Sequence, residues 1–148
     1  MQLSVLMPVY NERATLEEIL RRVMAVSLEK EIIIVDNCST DGSRELLREW
    51  IAAGKAGEAG SDAPVRVIFQ DRNRGKGSSV RKALAEARAA WIIIQDADLE
   101  YDPRDFLKLY ETALRQNCDA VFGTRLSPGS EARRGQPKTS FYFGRLGL

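Results

Sequence analysis

The chain contains no histidine and only two cysteines among its 148 residues. The absence of histidine removes the most common general base and every zinc site that needs an imidazole ligand. Cys38 and Cys118 do not form a metal-binding spacing, and two cysteines are too few for a disulfide framework. We therefore expect both thiols to be reduced, as in a cytoplasmic protein.

Long hydrophobic runs and an excess of charge of one sign are also missing. The longest apolar runs, such as residues 32–35 and 91–94, are far too short to span a bilayer. The first residues contain no basic segment followed by an apolar stretch, so we expect no signal peptide. The 22 Lys and Arg residues nearly balance the 21 Asp and Glu residues, so the overall charge neither requires a nucleic acid partner nor repels one. We expect no nucleic acid partner. The hydrophobic content of 44% is typical of about one globular domain.

Segments with the apolar pattern of strands alternate with segments that have the spacing of helices. The predicted strands are residues 3–9, 31–36, 65–70, 91–95 and 119–123. Thr15 and Glu18 have the spacing of a capping box at the first helix, Pro103 is placed to begin the last, and residues 54–63 are expected to be a surface loop. This alternation predicts an α/β fold with a mostly parallel sheet covered by helices on both faces.

Two carboxylates, Asp96 and Asp98, directly follow the fourth predicted strand. A turn at the strand end can bring both around one hard cation, with further oxygen ligands from a diphosphate. The alternative interpretation of so short a pattern is two solvated carboxylates that open a turn. Polar residues also follow the other predicted strands, and the ligand site of such a sheet lies at these strand ends. This shared position favours the metal site.

Two common nucleotide-binding motifs are absent from the chain. A glycine-rich dinucleotide motif would follow the first strand, but residues 8–12 contain no glycine. Gly75 and Lys76 resemble the end of a phosphate-binding P-loop. However, Gln70 stands where the first glycine is required and Gly77 where serine or threonine is required. We therefore predict neither an NAD site nor a P-loop nucleotide site.

Five motifs resemble those of the family 2 glycosyltransferases with the GT-A fold, and most closely the dolichyl and polyprenyl phosphate mannose or glucose synthases. In the family's order, they occupy residues 4–12, 34–42, 73–77, 95–99 and 123–125. The resemblance implies a GT-A-type Rossmann-like sandwich with a nucleotide-sugar-binding core at residues 1–125. Residues 126–148 would then form an acceptor loop and the start of a truncated C-terminal part.

The resemblance also implies roles for individual residues. Those expected to bind the nucleotide sugar are Pro8, Tyr10, Glu12, Val35, Asp36, Asn37, Lys76, Asp96, Ala97, Asp98 and Arg125. Asp96 and Asp98 would hold a Mg²⁺ or Mn²⁺ cofactor. These two aspartates and Arg125 would be the catalytic residues, with Arg125 meeting the sugar phosphate or the acceptor.

Several of these residues also have a plainer structural interpretation. Tyr10 could be a half-buried aromatic at a sheet edge, and Glu12 a carboxylate favoured by a helix dipole. Asp36 could cap the following turn, and Lys76 could be a solvated side chain. In the tail, Arg133 and Arg134 could bind an anionic acceptor phosphate or only increase solubility.

The chain departs from the family pattern at two neighbouring positions. Asn37 stands where relatives usually have aspartate, and Cys38 where they commonly have a small residue such as glycine. A carboxylate only accepts hydrogen bonds, whereas an amide both accepts and donates them. We therefore expect Asn37 to alter the preference for the nucleotide base.

The function implied by the resemblance is inverting transfer of a hexose from a nucleoside diphosphate sugar, of the GDP-mannose or UDP-glucose type, to a polyprenyl or dolichyl phosphate. Such an acceptor arrives ionised and needs no general base, which agrees with the absence of histidine. One alternative is a family 2 transferase that acts on a glycan or protein hydroxyl in cell-envelope polysaccharide synthesis. The other is a nucleotide-sugar-binding fragment without turnover.

A lipid acceptor implies a peripheral position at the cytoplasmic face of the membrane. The motifs for nucleotide and metal all lie before residue 126, whereas relatives continue past Leu148. We therefore expect the chain to bind donor and to turn over poorly. Residues 141–148 are aromatic and apolar, and we expect them to form an exposed end.

Overall fold

The computed structural model describes residues 1–123 and the backbone of Tyr142–Arg145. In chain order the elements are β1 (Leu3–Val9), α1 (Leu16–Ala25), β2 (Lys30–Asp36), α2 (Ser43–Ala52), β3 (Gly57–Glu58), β4 (Val65–Phe69), α3 (Lys76–Glu86), β5 (Trp91–Ile94), α4 (Asp105–Gln116), β6 (Ala120–Phe122) and β7 (Tyr142–Arg145). Across this part of the chain no helix has the length and apolar character needed to cross a membrane.

The strands form one sheet in the order β3-β4-β2-β1-β5-β7-β6. The first five strands of this order run parallel, and β7 is antiparallel to both of its neighbours, β5 and β6. The predicted α/β fold with a mostly parallel sheet is therefore confirmed. Because the strands are parallel, the carboxyl ends of β1, β2 and β5 meet at one edge of the sheet.

Helices cover both faces of this sheet. On one face, α1, α2 and α4 pack apolar side chains such as Ile19, Leu47 and Phe106 against alternate residues of the strands. On the other face, α3 packs Ala83 against Leu6 and neighbouring strand residues. Burial on both faces explains why the central strands consist mainly of apolar residues.

Three local expectations differ from the structure. Thr15 does stand at the N-cap of α1, but its hydroxyl donates to the Glu12 carbonyl and carboxylate at 3.3 and 3.2 Å, so no capping box forms. Helix α4 begins at Asp105, two residues after Pro103. The expected loop at residues 54–63 contains the short strand β3, which pairs with β4 because the edge of β4 would otherwise leave its backbone groups unpaired.

We expected residues 141–148 to form an exposed end, and this expectation is wrong for the backbone of Tyr142–Arg145. This segment is strand β7, inserted between β5 and β6, with Trp91 opposite Arg145 and Ala120 opposite Gly144. Without β7 the edge of β5 would present unpaired N–H and C=O groups, which is the physical reason for the insertion. The division of the chain at residue 125 stays a prediction.

A buried ion pair lies near the amino ends of the strands. The Arg66 guanidinium donates to Glu31 at 2.6 Å, and both side chains are almost completely buried. The Ser4 hydroxyl and the Arg88 backbone N–H donate to the same carboxylate at 2.5 and 2.7 Å. Burial alone would raise the pKa of Glu31, but these hydrogen bonds and the Arg66 charge hold it below the ordinary value of 4.5. The pair thus joins β1, β2, β4 and the connection from α3 to β5.

Glu31→Gln is expected to lower the free energy of unfolding by about 3–5 kcal/mol, because it leaves the Arg66 charge buried without a counter-ion. The Glu31 pKa is lowered by folding, so the stabilisation is present above the unfolded value and is lost as pH falls through the folded pKa. Urea unfolding from pH 7 to pH 3 measures both effects. The exposed Glu111→Gln is the control, and equal unfolding midpoints for the two variants would contradict the assignment.

Candidate functional site

A cavity of about 330 Å³ opens at the carboxyl ends of β1, β2 and β5. Its walls come from the loops that follow these strands and from the first turn of α3. Eight of the predicted site residues line it, namely Pro8, Tyr10, Glu12, Asn37, Lys76, Asp96, Ala97 and Asp98. The fold therefore brings together residues that are up to 90 positions apart in the sequence, from Pro8 to Asp98.

Hydrogen bonds to the neighbouring loop hold the turn after β1 in place. The Asn11 N–H donates to the Ser39 hydroxyl, and the Glu12 N–H donates to the Ser43 hydroxyl, each at 3.0 Å. Tyr10, just before these contacts, keeps 46% of its surface exposed beside the cavity. A fixed turn with an exposed ring is suited to stack a flat ligand group at low entropic cost.

Asn37 organises the wall of the cavity at the end of β2. Its side chain is 4% exposed, and its amide Nδ2 donates to Asn73 Oδ1 at 2.8 Å. Its Oδ1 accepts the Arg74 backbone N–H at 2.9 Å and the Gln70 amide at 3.2 Å. The side chain thereby ties the end of β2 to the loop before α3. The Asn37 NH₂ group, which the sequence suggested as a donor to a nucleotide base, donates to Asn73 instead.

Asp96 and Asp98 lie on either side of Ala97, whose side chain is buried in the core. Because the middle residue faces inward, both carboxylates are left at the cavity wall. The Lys76 ammonium contacts the Asp96 carboxylate at 2.7 Å, and the Asp98 carboxylate accepts the Glu100 N–H at 3.0 Å. Lys76 is also the first residue of α3, whose N-terminus therefore borders the cavity and favours an anion there.

Several carboxylates lie close enough to Glu12 to affect its pKa. Burial raises the pKa of Glu12, and the charges of Asp98, Asp41 and Asp96 raise it further against the opposing hydrogen bond from Thr15. Carboxylates grouped in this way attract a cation to the mouth of the cavity.

The carboxylates of Asp96 and Asp98 fit part of a site for Mg²⁺ or Mn²⁺, which prefer oxygen ligands. Within residues 1–123, no three His, Cys, Asp or Glu side chains lie close enough together to hold a metal ion by themselves. Magnesium is usually held by one or two carboxylates together with substrate phosphates. The donor set therefore suits a cation that arrives with a diphosphate.

Two predicted residues, Val35 and Asp36, have completely buried side chains that do not line the cavity. Asp36 accepts the Ser39 backbone N–H at 3.3 Å and pairs with Arg44 at 3.5 Å, which is the turn-capping arrangement. Contact of Val35 or Asp36 with a nucleotide stays a prediction. The remaining predicted residues, Arg125, Arg133 and Arg134, lie outside the described residues.

Four further cavity residues were not among the predicted site residues, namely Val9, Asn73, Gly75 and Ser79. Asn73 and Gly75 belong to the motif at residues 73–77. A prediction that assigned every residue of this motif to the site would have included them. Ser79 is fully buried and accepts a hydrogen bond from the Gln70 amide at 2.7 Å. It lies one turn inside α3, where no sequence signal distinguishes it.

The profile of glycosyl transferase family 2 matches residues 4–147, and the chain belongs to this family. It is 35% identical over 133 residues to the dolichol-phosphate mannosyltransferase of Pyrococcus furiosus. It is 38% identical over 138 residues to the undecaprenyl-phosphate 4-deoxy-4-formamido-L-arabinose transferase of Pseudomonas aeruginosa. These alignments cover 88% and 90% of the chain but only 35% and 38% of the two relatives, so the chain spans about a third of their length.

Two solved structures are similar in fold. One is S. aureus TarS in complex with UDP, with a TM-score of 0.67 and 20% identity over 93% of this chain and 38% of that one. The other is the mannosyltransferase PcManGT from Pyrobaculum calidifontis in complex with GDP-Man and Mn²⁺. Its TM-score is 0.59, with 28% identity over 72% of this chain and 30% of that one. The predicted GT-A-type sandwich is thereby confirmed.

Ser43→Ala is expected to loosen the turn that carries Glu12, because the Glu12 N–H loses its acceptor. The loss should cost about 1–3 kcal/mol of stability and speed hydrogen exchange at the Glu12 amide. Amide exchange followed by NMR measures the effect, with the exposed Ser27→Ala as control. Unchanged protection of the Glu12 amide would show that Ser43 does not hold the turn.

Proposed function

We propose that the chain is the donor-binding part of an inverting, metal-dependent hexosyltransferase. The reaction is transfer of a hexose from a nucleoside diphosphate sugar to a polyprenyl or dolichyl phosphate. The observation that carries the proposal is the placement of Asp96 and Asp98 in one cavity with Tyr10, Asn37 and Lys76. The names of the two curated relatives support the lipid phosphate acceptor, since they contain dolichol phosphate and undecaprenyl phosphate. The first name also supports a hexose, because it specifies mannose, whereas the arabinose derivative in the second is a pentose.

We assign different residues of the cavity to the different parts of the donor. Its volume of about 330 Å³ lies within the range of small-molecule sites. The exposed Tyr10 ring is suited to the base, and the N-terminus of α3 with Lys76 is suited to the diphosphate. Asp96, which contacts Lys76 at 2.7 Å, and Asp98 would hold a cation that accompanies the diphosphate.

A Mg²⁺ or Mn²⁺ ion held by Asp98 and Asp96 would act as a Lewis acid for the departing nucleoside diphosphate. The complex of PcManGT, 28% identical to this chain, with GDP-Man and Mn²⁺ supports this choice of cofactor. Lys76 already neutralises Asp96 at 2.7 Å, so Asp98 is the carboxylate more available to a cation. Arg125 is proposed as the third catalytic residue.

The acceptor is proposed from the chemistry of proton transfer. A phosphate acceptor is ionised at neutral pH and requires positioning without a general base, whereas a sugar or protein hydroxyl requires a base. The chain contains no histidine, the most common general base, which agrees with an acceptor that is already ionised. A lipid phosphate acceptor places the protein at the cytoplasmic face of a membrane, with Arg133 and Arg134 proposed to meet the phosphate.

Nucleotide affinity is expected to depend on a divalent cation held by Asp98. Calorimetric titration with GDP and UDP in the presence of Mn²⁺ should show binding that weakens by about tenfold or more with EDTA or in Asp98→Asn. Disturbing even the outer shell of a metal site commonly costs that much. The exposed Asp119→Asn is the matched control. Equal affinities with Mn²⁺ and with EDTA would remove the metal from the proposal.

The acceptor is tested with radiolabelled GDP-mannose or UDP-glucose and two lipids, polyprenyl phosphate and the unphosphorylated polyprenol. Label is expected in the lipid extract with the phosphate only, because the free alcohol needs a base. The rate is expected to be low, because the chain spans about a third of its relatives' length. Label on a glycan or protein hydroxyl would favour the alternative transferase. Efficient turnover would place the complete active site within these 148 residues.

A further inference from the structure

Gln95 is a fully buried amide that directly precedes the two aspartates of the cavity. Its side chain has no exposed surface, although burial takes an amide away from its hydrogen bonds with water. Its Nε2 donates to the carbonyl oxygens of Asp96 at 2.9 Å and Tyr101 at 3.4 Å. A carbonyl oxygen can only accept, so the atom that meets both must be the NH₂ group. The amide thus joins the first and last residues of a loop, residues 96–101, here called the aspartate loop.

Further contacts fix the aspartate loop against the sheet. The Gln95 backbone N–H donates to the Leu6 carbonyl at 3.0 Å, which ties the start of the loop to β1. Ala97 is buried in the core, and the partly buried Leu99 packs against it. Leu99 has a φ of 63°, in the left-handed region that residues other than glycine seldom adopt. Such a conformation persists only where the surrounding contacts enforce it, so the loop is held in one arrangement.

This arrangement directs the side chains of the aspartate loop to two sides. Ala97 and Tyr101 are buried, whereas Asp96 and Asp98 line the cavity. The Glu100 N–H donates to the Asp98 carboxylate at 3.0 Å, which restricts that side chain as well. Two carboxylates on a loose loop would lose conformational freedom when they bind a cation together. A loop that is already held loses less, and its ligands bind more tightly.

We propose that Gln95 is a positioning residue that acts through the backbone of the aspartate loop to hold Asp96 and Asp98 in place for a divalent cation. Gln95 itself is not among the residues that line the cavity. Contacts that orient metal ligands from outside commonly change the affinity for the metal by about 10- to 100-fold. The inference rests on the proposed function, because it assumes that the two aspartates hold a cation together with a nucleoside diphosphate.

The test uses Gln95→Met, which keeps an unbranched, uncharged side chain but removes the NH₂ group. Dissociation constants of UDP and GDP are measured with Mn²⁺ and with EDTA, and their ratio is the gain in affinity that the metal gives. We expect this gain to fall about tenfold in Gln95→Met, while the constants in EDTA stay unchanged. No charge changes, so a smaller gain reports the placement of the aspartates.

Ser4→Ala is the matched control, because it removes a hydrogen bond from an equally buried side chain near the amino ends of the strands. Circular dichroism melting of both variants measures the loss of stability. A purely structural role for Gln95 would lower the melting temperature, as in Ser4→Ala, and leave the gain from Mn²⁺ unchanged. That result overturns the inference while the proposed function stands. Equal constants with Mn²⁺ and EDTA in the unaltered chain would instead overturn the proposed metal site and the inference with it.

Hydrogen exchange of the Gln95 side-chain NH₂ group, followed by NMR in the unaltered chain, decides the question if Gln95→Met does not fold. We expect these protons to exchange much more slowly than those of the exposed Gln116, because they are bonded to the aspartate loop. Equal exchange rates for the two side chains would show that Gln95 does not hold the loop and would overturn the inference.

Discussion

The structure depends on the burial of a charged pair, Glu31 with Arg66, near the amino ends of the sheet. A buried carboxylate is tolerated only when hydrogen bonds and an opposite charge replace the lost water, and Glu31 receives both. Ser4 lies opposite Glu31, and Arg66 lies opposite Ile33, so the pair also fixes the register of three parallel strands. Once that register is set, the carboxyl ends of the same strands are aligned at the other edge, where the cavity opens.

At the cavity edge, neutral polar side chains form hydrogen bonds with the backbone of neighbouring loops. Ser39 and Ser43 accept N–H groups from the turn after β1, and Asn37 accepts the Arg74 N–H and donates to Asn73. Each contact joins a loop to its neighbour across the strand ends. A rigid sheet with cross-linked loops keeps binding groups in position while leaving them exposed to a ligand. A sheet with an apolar core and polar groups at the carboxyl ends of its strands is suited to binding a nucleotide sugar.

The sequence predicted the fold well because the strands are buried on both faces and the helices are amphipathic, so each element has a clear pattern. Asp96 and Asp98 were also predictable, since they directly follow a recognisable strand. Strand β7 was not, because it runs antiparallel to both of its neighbours and lies outside the alternation of strands and helices that indicates a parallel sheet. The hydrogen bonds that the Asn37 amide makes within the protein could not be predicted from the sequence either. Its partners Asn73 and Arg74 meet it only after the sheet has formed.

The cavity at the carboxyl ends of the strands is proposed to bind a nucleoside diphosphate with a cation at Asp96 and Asp98. A crystal structure with UDP or GDP and Mn²⁺, with the metal located by anomalous scattering, tests this claim directly. We expect the base beside Tyr10 and one anomalous peak within coordination distance of Asp98 and the diphosphate. A nucleotide bound outside this cavity, or Mn²⁺ bound away from both aspartates, would contradict it.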